Sequence, residues 1–272
     1  MPAFFLPFIQ KAMQTLRIQI CQTDLFWEQA QANRSGIEQL LRRQIVDPCD
    51  LIVLPEMFTT GFSMRSKELA ETTGGPTSVW LSSMANEFNA AIAGSLIFFE
   101  NGHYYNRLLV FTPGNDIPFH YDKKHLFSLA GENDHFSPGS EQKIFAFRDF
   151  KISFFICYDL RFPVWCRNTE GIDLMVFCAN WPQKRAMAWN SLLPARAIEN
   201  QCYVAGVNRI GLDGLGIPYV GDSAVFDFEG NRMAYADQGN QVAGASLDKQ
   251  ALLAFRRAYP FWKDRDEFQW IT

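Results

Sequence analysis

The chain has 272 residues, 48% of them apolar and 15% aromatic, with a net charge of -4. Such a composition sustains a large buried core and excludes a disordered chain. The mild acidity, with no basic stripe or aromatic-basic interleaving, excludes nucleic acid as a partner.

The first nine residues, Met1 to Ile9, are apolar but carry two prolines and no leading positive charge. A signal peptide has a basic start and a longer apolar stretch, and a membrane span needs roughly 20 apolar residues. Residues 1–12 are therefore read as an extension, and residues 13–272 as a single domain. No membrane association is expected. Leu16 to Cys21 alternates apolar and polar, the period of a strand with one buried face. Glu28 to Val46 places Ile37, Leu40, Leu41 and Ile45 on one helical face, and Asp47-Pro48 stops it. Leu51 to Leu54 is a continuous apolar run, as in a strand buried on both sides. Ser78 to Phe88 reads as a helix. Ala90 to Phe99 and Tyr104 to Phe111 read as strands joined at Asn101-Gly102, a strong hairpin signal.

The second half repeats the style. Strands are expected over Ile144 to Phe147, Lys151 to Ile156, Asp173 to Cys178, Tyr203 to Val207 and Ser223 to Phe228, with a helix over Arg185 to Asn200. No linker divides the chain. Mixed strands and helices, with hairpins interrupting strict alternation, predict an α/β protein of layered sheets with helices outside.

Three polar residues stand where apolar strands end, the usual place for a site in α/β proteins. Glu56 follows Leu51 to Pro55, Lys123 lies in Tyr121 to Phe127, and Cys157 follows Ile152 to Ile156. Singly, each has an ordinary explanation: a buried filler thiol, a turn carboxylate, a surface ammonium. Together they supply what acyl transfer needs. A thiol of pKa about 8.5 requires a base or a cation to attack at neutral pH. Glu56 supplies the base, and Lys123 a cation for the thiolate and the tetrahedral oxyanion. Of the six cysteines, none forms a Cys-x-x-Cys pair, and no Cys/His cluster has zinc spacing. Neither metal nor cofactor is expected, and a reduced cytoplasmic protein fits this usage. All four histidines precede Cys157, which opposes a papain-like pairing. A non-catalytic binding protein on the same fold is the remaining alternative of a different class, opposed by the intact Glu56, Lys123 and Cys157.

Pro55-Glu56, Lys123-Lys124-His125-Leu126-Phe127 and Cys157-Tyr158-Asp159-Leu160-Arg161-Phe162-Pro163 resemble, in order and spacing, the Glu, Lys and Cys motifs of the nitrilase superfamily of carbon–nitrogen hydrolases. Ala179-Asn180-Trp181-Pro182 and Pro194 to Gln201 are similar to its omega-amidase branch. The resemblance implies a four-layer α-β-β-α sandwich that pairs into homodimers, no metal or organic cofactor, and release of ammonia through a thioester. It selects Lys123 over Lys124, because the family lysine lies two residues before the histidine; strand alternation would also turn Lys124 away. It implies a second glutamate, Glu132, shortly before Ser137-Pro138-Gly139, that positions substrate and holds Lys123. Expected substrate contacts are Tyr158, Arg161, Trp181 and Phe127, with Phe58 and Phe62 among the pocket walls. Arg161 either binds a substrate carboxylate or pairs with Asp159. The expected substrate is a small linear amide such as 2-oxoglutaramate or 2-oxosuccinamate. A nitrilase, carbamoylase or acyltransferase would use the same three residues.

Overall fold

The computed structural model describes residues 15–268. The expected extension over residues 1–12 lies outside the described residues. In chain order the elements are β1 (Thr15–Gln22), α1 (Ala30–Gln44), β2 (Leu51–Val53), α2 (Ser66–Leu69), α3 (Pro76–Phe88), β3 (Ala91–Glu100), β4 (His103–Thr112) and β5 (Asn115–Asp122). There follow β6 (Ile144–Phe147), β7 (Phe150–Ile156), β8 (Leu174–Ala179), α4 (Ala186–Asn200), β9 (Tyr203–Asn208), β10 (Ile210–Leu212), β11 (Pro218–Val220), β12 (Ala224–Phe226), β13 (Arg232–Tyr235), β14 (Gln241–Asp248) and α5 (Lys249–Ala258).

Two six-stranded sheets share one design. The first runs β14-β1-β2-β3-β4-β5 and the second β13-β12-β9-β8-β7-β6. Each has a parallel trio at its centre, β1-β2-β3 or β7-β8-β9, extended on both sides by antiparallel strands. The central strands β2, β8 and β9 are buried throughout, as their continuous apolar runs require, whereas β1 alternates. Its Leu16, Ile18 and Ile20 join Leu51, Val53, Leu108 and Val110 in one core with Phe154, Val176 and Val204 of the second sheet.

Helices flank the pair of sheets. Ile37, Leu40 and Leu41 of α1 and Leu81, Met84 and Ala85 of α3 pack with Ile52, Ile92 and Leu109 of the first sheet. Trp189 and Leu193 of α4 lie against β9 at Gly206, where a Cβ would stand 2.4 Å from Leu193 Cδ1 and 2.8 Å from Trp189 Cζ2. The missing side chain lets the helix approach. The architecture is the expected α/β sandwich of two sheets between helices.

Element boundaries differ from the sequence reading where local chemistry intervenes. Glu28 has φ +56, so the first helix begins after it. Glu71 accepts the N–H of Thr77 at 2.7 Å, so α3 starts at Pro76, not Ser78. Strand β5 escaped notice because its run contains Pro118, which an edge strand tolerates. It ends at Asp122, so strand alternation is not what separates Lys123 from Lys124.

Candidate active site

The site forms where chain segments leave the two sheets. After β2, Leu54-Pro55 carries the chain out to Glu56, whose side chain is fully buried. Oε1 of Glu56 accepts from Asn106 Nδ2 at 2.7 Å and from Lys123 Nζ at 2.9 Å, and Oε2 accepts the backbone N–H of Asn180 at 2.8 Å. The Asn180 side-chain amide returns a bond to the Glu56 carbonyl at 2.6 Å. The carboxylate is thereby pinned from both sheets.

Lys123 follows the last residue of β5. Its backbone N–H donates to Asn106 O at 3.0 Å and its carbonyl accepts from Gly139 N at 2.8 Å. Gly139 must be glycine here, because a Cβ would stand 2.2 Å from the carbonyl oxygen of Asp122. The Ser137-Pro138-Gly139 turn therefore presses directly beneath the lysine. Nζ reaches Glu132 at 2.8 and 3.0 Å as well as Glu56. Glu132 is held by a further bond from Phe127 N at 2.6 Å. Burial alone would discharge the ammonium, but the two carboxylates outweigh it and hold its pKa above the ordinary lysine value. Burial raises the pKa of Glu132, with Lys123 opposing the rise.

Cys157 directly follows β7 and adopts φ +46, a left-handed conformation uncommon for a residue with a side chain. A short 3₁₀ turn continues to Arg161. The carboxylate of Asp159 fastens this elbow. Oδ2 accepts Ile156 N at 3.0 Å and Tyr121 OH at 2.7 Å, while Oδ1 accepts His125 N at 2.9 Å and lies 2.8 Å from His125 Nδ1. Burial pushes the Cys157 thiol well above its usual range, and the Glu56 charge pushes it further; Lys123 only partly opposes this. Among the six cysteines Cys157 is half-buried, whereas the other five are buried.

Cys157 and Lys123 open into a cavity of about 110 Å³ lined by Phe62, Phe127, Tyr158, Arg161, Trp181, Arg185, Asp213 and Tyr219, among others. The sequence-expected Tyr158, Arg161, Trp181 and Phe127 are all brought together there. Phe58 is not. It lies in the core beneath α3, 5.7 Å from the ring of Trp80, because β3 offers it the bare backbone of Gly94.

The Arg161–Asp159 ion pair does not form, since Asp159 is engaged elsewhere; Arg161 lies over Trp181, 4.9 Å from the ring centre. Arg185 lies in the same way over Phe127, at 4.9 Å. Among the described residues neither arginine has a carboxylate partner. The carboxylate in the wall, Asp213, is occupied by Tyr219 OH at 3.0 Å and by the N–H groups of Leu215 and Ile217. The cavity therefore carries spare positive charge on aromatic walls.

Asn106, Arg185, Asp213 and Tyr219 were not anticipated. Asn106 alone left a signal, as a polar residue in phase with Leu108 and Val110 on a strand whose inner face is otherwise apolar. Arg185 was read only as the start of a helix, and Asp213 and Tyr219 lie beside and in short strands that no apolar period marks.

Comparison with known proteins shows what the chain is similar to. The sequence profile of the carbon–nitrogen hydrolase family matches residues 17–257. The chain is 42% identical to the omega-amidase YafV of Escherichia coli K12 over 94% of its length and 99% of the relative's. It is 36% identical to the 2-oxoglutaramate amidase of Bacillus subtilis, covering 79% of this chain and 84% of that one. The structure superposes with a TM-score of 0.91 and 40% identity on XC1258 from Xanthomonas campestris, a CN-hydrolase superfamily protein with an arsenic adduct in its active site. That match covers 94% of this chain and 99% of the other.

Proposed function

The chain belongs to the carbon–nitrogen hydrolase family and is a cysteine-dependent amidase, and from that premise we propose that it hydrolyses the omega-amide of a short 2-oxo dicarboxylic acid, 2-oxoglutaramate or 2-oxosuccinamate, with Cys157 as nucleophile.

In this reading Glu56 takes the Cys157 proton as Sγ bonds to the amide carbon, and the carbonyl electrons move to oxygen. Lys123 opposes the charge of that oxyanion, a contribution of about 3–4 kcal/mol where one such donor has been removed. Collapse breaks the carbon–nitrogen bond as Glu56 passes its proton to the nitrogen, and ammonia leaves a thioester. Glu56 next draws a proton from water, the hydroxide adds to the thioester carbon, and collapse expels sulfur, which regains the proton from Glu56. The acid departs and the site is restored. Glu132 keeps Lys123 charged and in place. A thiol that burial pushes upward fits this cycle, because one carboxylate carries one proton through both halves.

The substrate class rests on Arg161 and Arg185, the two cations in the cavity without carboxylate partners among the described residues. The names of the bacterial relatives point the same way. A carboxylate at the far end of the substrate would satisfy the two half-buried charges that a neutral amide leaves without an anion. Such polar mismatch discriminates by factors of about 10⁴, against about 10–200 for a missing methylene. The test compares kcat/KM for 2-oxoglutaramate with that for a neutral aliphatic amide of equal length. A preference of about 10³-fold or more is expected. A ratio near one removes carboxylate recognition and leaves the thioester cycle standing.

A further inference from the structure

Asn106 sits in the middle of β4 and is fully buried. Its Nδ2 donates to Glu56 Oε1 at 2.7 Å and to Glu132 Oε1 at 3.2 Å. Its Oδ1 accepts from Ser95 Oγ at 2.9 Å, and Ser95 accepts in turn from the N–H of Met57, the residue after Glu56, at 2.8 Å. This chain fixes the sense of the amide, since a flipped group would aim its oxygen at two carboxylates. The Asn106 carbonyl also takes the backbone N–H of Lys123. One side chain thus touches both acidic groups while its backbone seats the lysine between them.

The charges explain the arrangement. Glu56 is faced by Glu132, Lys123 and the thiols of Cys157 and Cys178. Two buried carboxylates beside one ammonium tend to take up a proton and share it. A proton held by Glu56 would leave it unable to accept the one from Cys157. An amide that donates to both carboxylates favours their charged forms without adding a charge of its own. We propose that Asn106 is a positioning residue for proton transfer, holding Glu56 and Glu132 ionised on either side of Lys123.

The proposal rests on the reading of Glu56 as proton carrier, and the experiment separates the two. The pH dependence of kcat/KM is measured for the wild type, Asn106→Leu and Asn106→Ser, on the amide turned over fastest in the comparison above. Leucine fills the space and donates nothing, so both carboxylates become easier to protonate. The acid limb moves upward by about one pH unit, kcat falls about 10–100-fold, and KM stays within about twofold. Serine, with one proton to give, moves the limb about half as far. A purely structural residue would lower the rate at every pH and leave the limb in place, and that result in both variants overturns the proposal. If the leucine variant fails to fold, the serine variant decides by the same criterion. Glu56→Gln separates the readings: retention of more than a few per cent of activity overturns the proton-carrier role and this proposal with it. An inactive Glu56→Gln beside an unmoved limb overturns this proposal alone.

Discussion

Lys123 and Lys124 are chemically identical neighbours with opposite surroundings. The first is buried and shared by two carboxylates; the second is half-buried, with its Nζ 5.3 Å from the ring centre of Trp165. Lys123→Ala removes the cation proposed to oppose the oxyanion and leaves two buried carboxylates unmatched, so both rate and stability should suffer. We expect a loss of about 10³-fold or more in kcat/KM and a lowered Tm. Lys124→Ala should stay within a few-fold of wild type in both. Equal losses in kinetics and thermal melts would contradict the assignment. Residue identity in the motifs pointed to Lys123, but no sequence feature conveys the left-handed φ of Cys157, and the phase of Asn106 on β4 marks it as inward-facing without saying what its amide meets. Those depend on which strand passes beneath the glutamate, a matter of tertiary packing.

At the scale of elements, the Asp159 carboxylate joins the turn after β7 to the segment after β5. It holds Ile156 just before Cys157, and Tyr121 and His125 on either side of Lys123. His125 is further clamped by stacking on Phe162 at 3.7 Å. In Asp159→Asn the amide NH₂ must face groups that themselves donate, and each buried donor left without an acceptor costs about 1–3 kcal/mol. The expected outcome is a drop in Tm of several degrees together with a fall in kcat of about 10-fold or more. Unchanged melting and unchanged turnover would show that the two segments are fixed without it. The elements themselves were legible where apolar periodicity is strong, as in β1, β2, β8 and the apolar face of α1. They were not legible in β5, broken by Pro118, nor in β14, whose Gln241–Asp248 run contains glycine and few large apolar residues. Both pair at or near sheet edges, where neighbouring strands supply the order that composition does not.

Taken whole, the molecule divides its chemistry between its sheets. Periodicity alone announced layered sheets and helices; the four-layer stacking followed from the motif resemblance, because no local pattern encodes how one sheet lies on another. That stacking decides the site. The first sheet delivers Glu56, Asn106 and Lys123 from the ends and middle of its strands, and the second delivers Cys157 and Asn180. Glu56 bonded to Asn180 is one stitch between them, and Asp159 bonded to Tyr121 and His125 is another.

The long connection from β5 to β6 passes through the exposed pair Ser140 and Glu141. A chain interrupted there becomes a two-component switch. Residues 1–140 hold Glu56, Lys123 and Glu132, residues 141–272 hold Cys157, and on the proposed cycle neither piece turns over alone. The second piece also contains β14, which pairs with β1 from Thr15–Asp248 to Gln22–Gln241 and so supplies a built-in handle for reunion. Co-expressed halves should release ammonia from the amide while each half alone releases none, which an ammonia assay on the purified species reads directly. Turnover by either half alone would mean that the donor and acceptor groups are not divided as described. With the division as described, ammonia release becomes a signal that two separately made polypeptides have met.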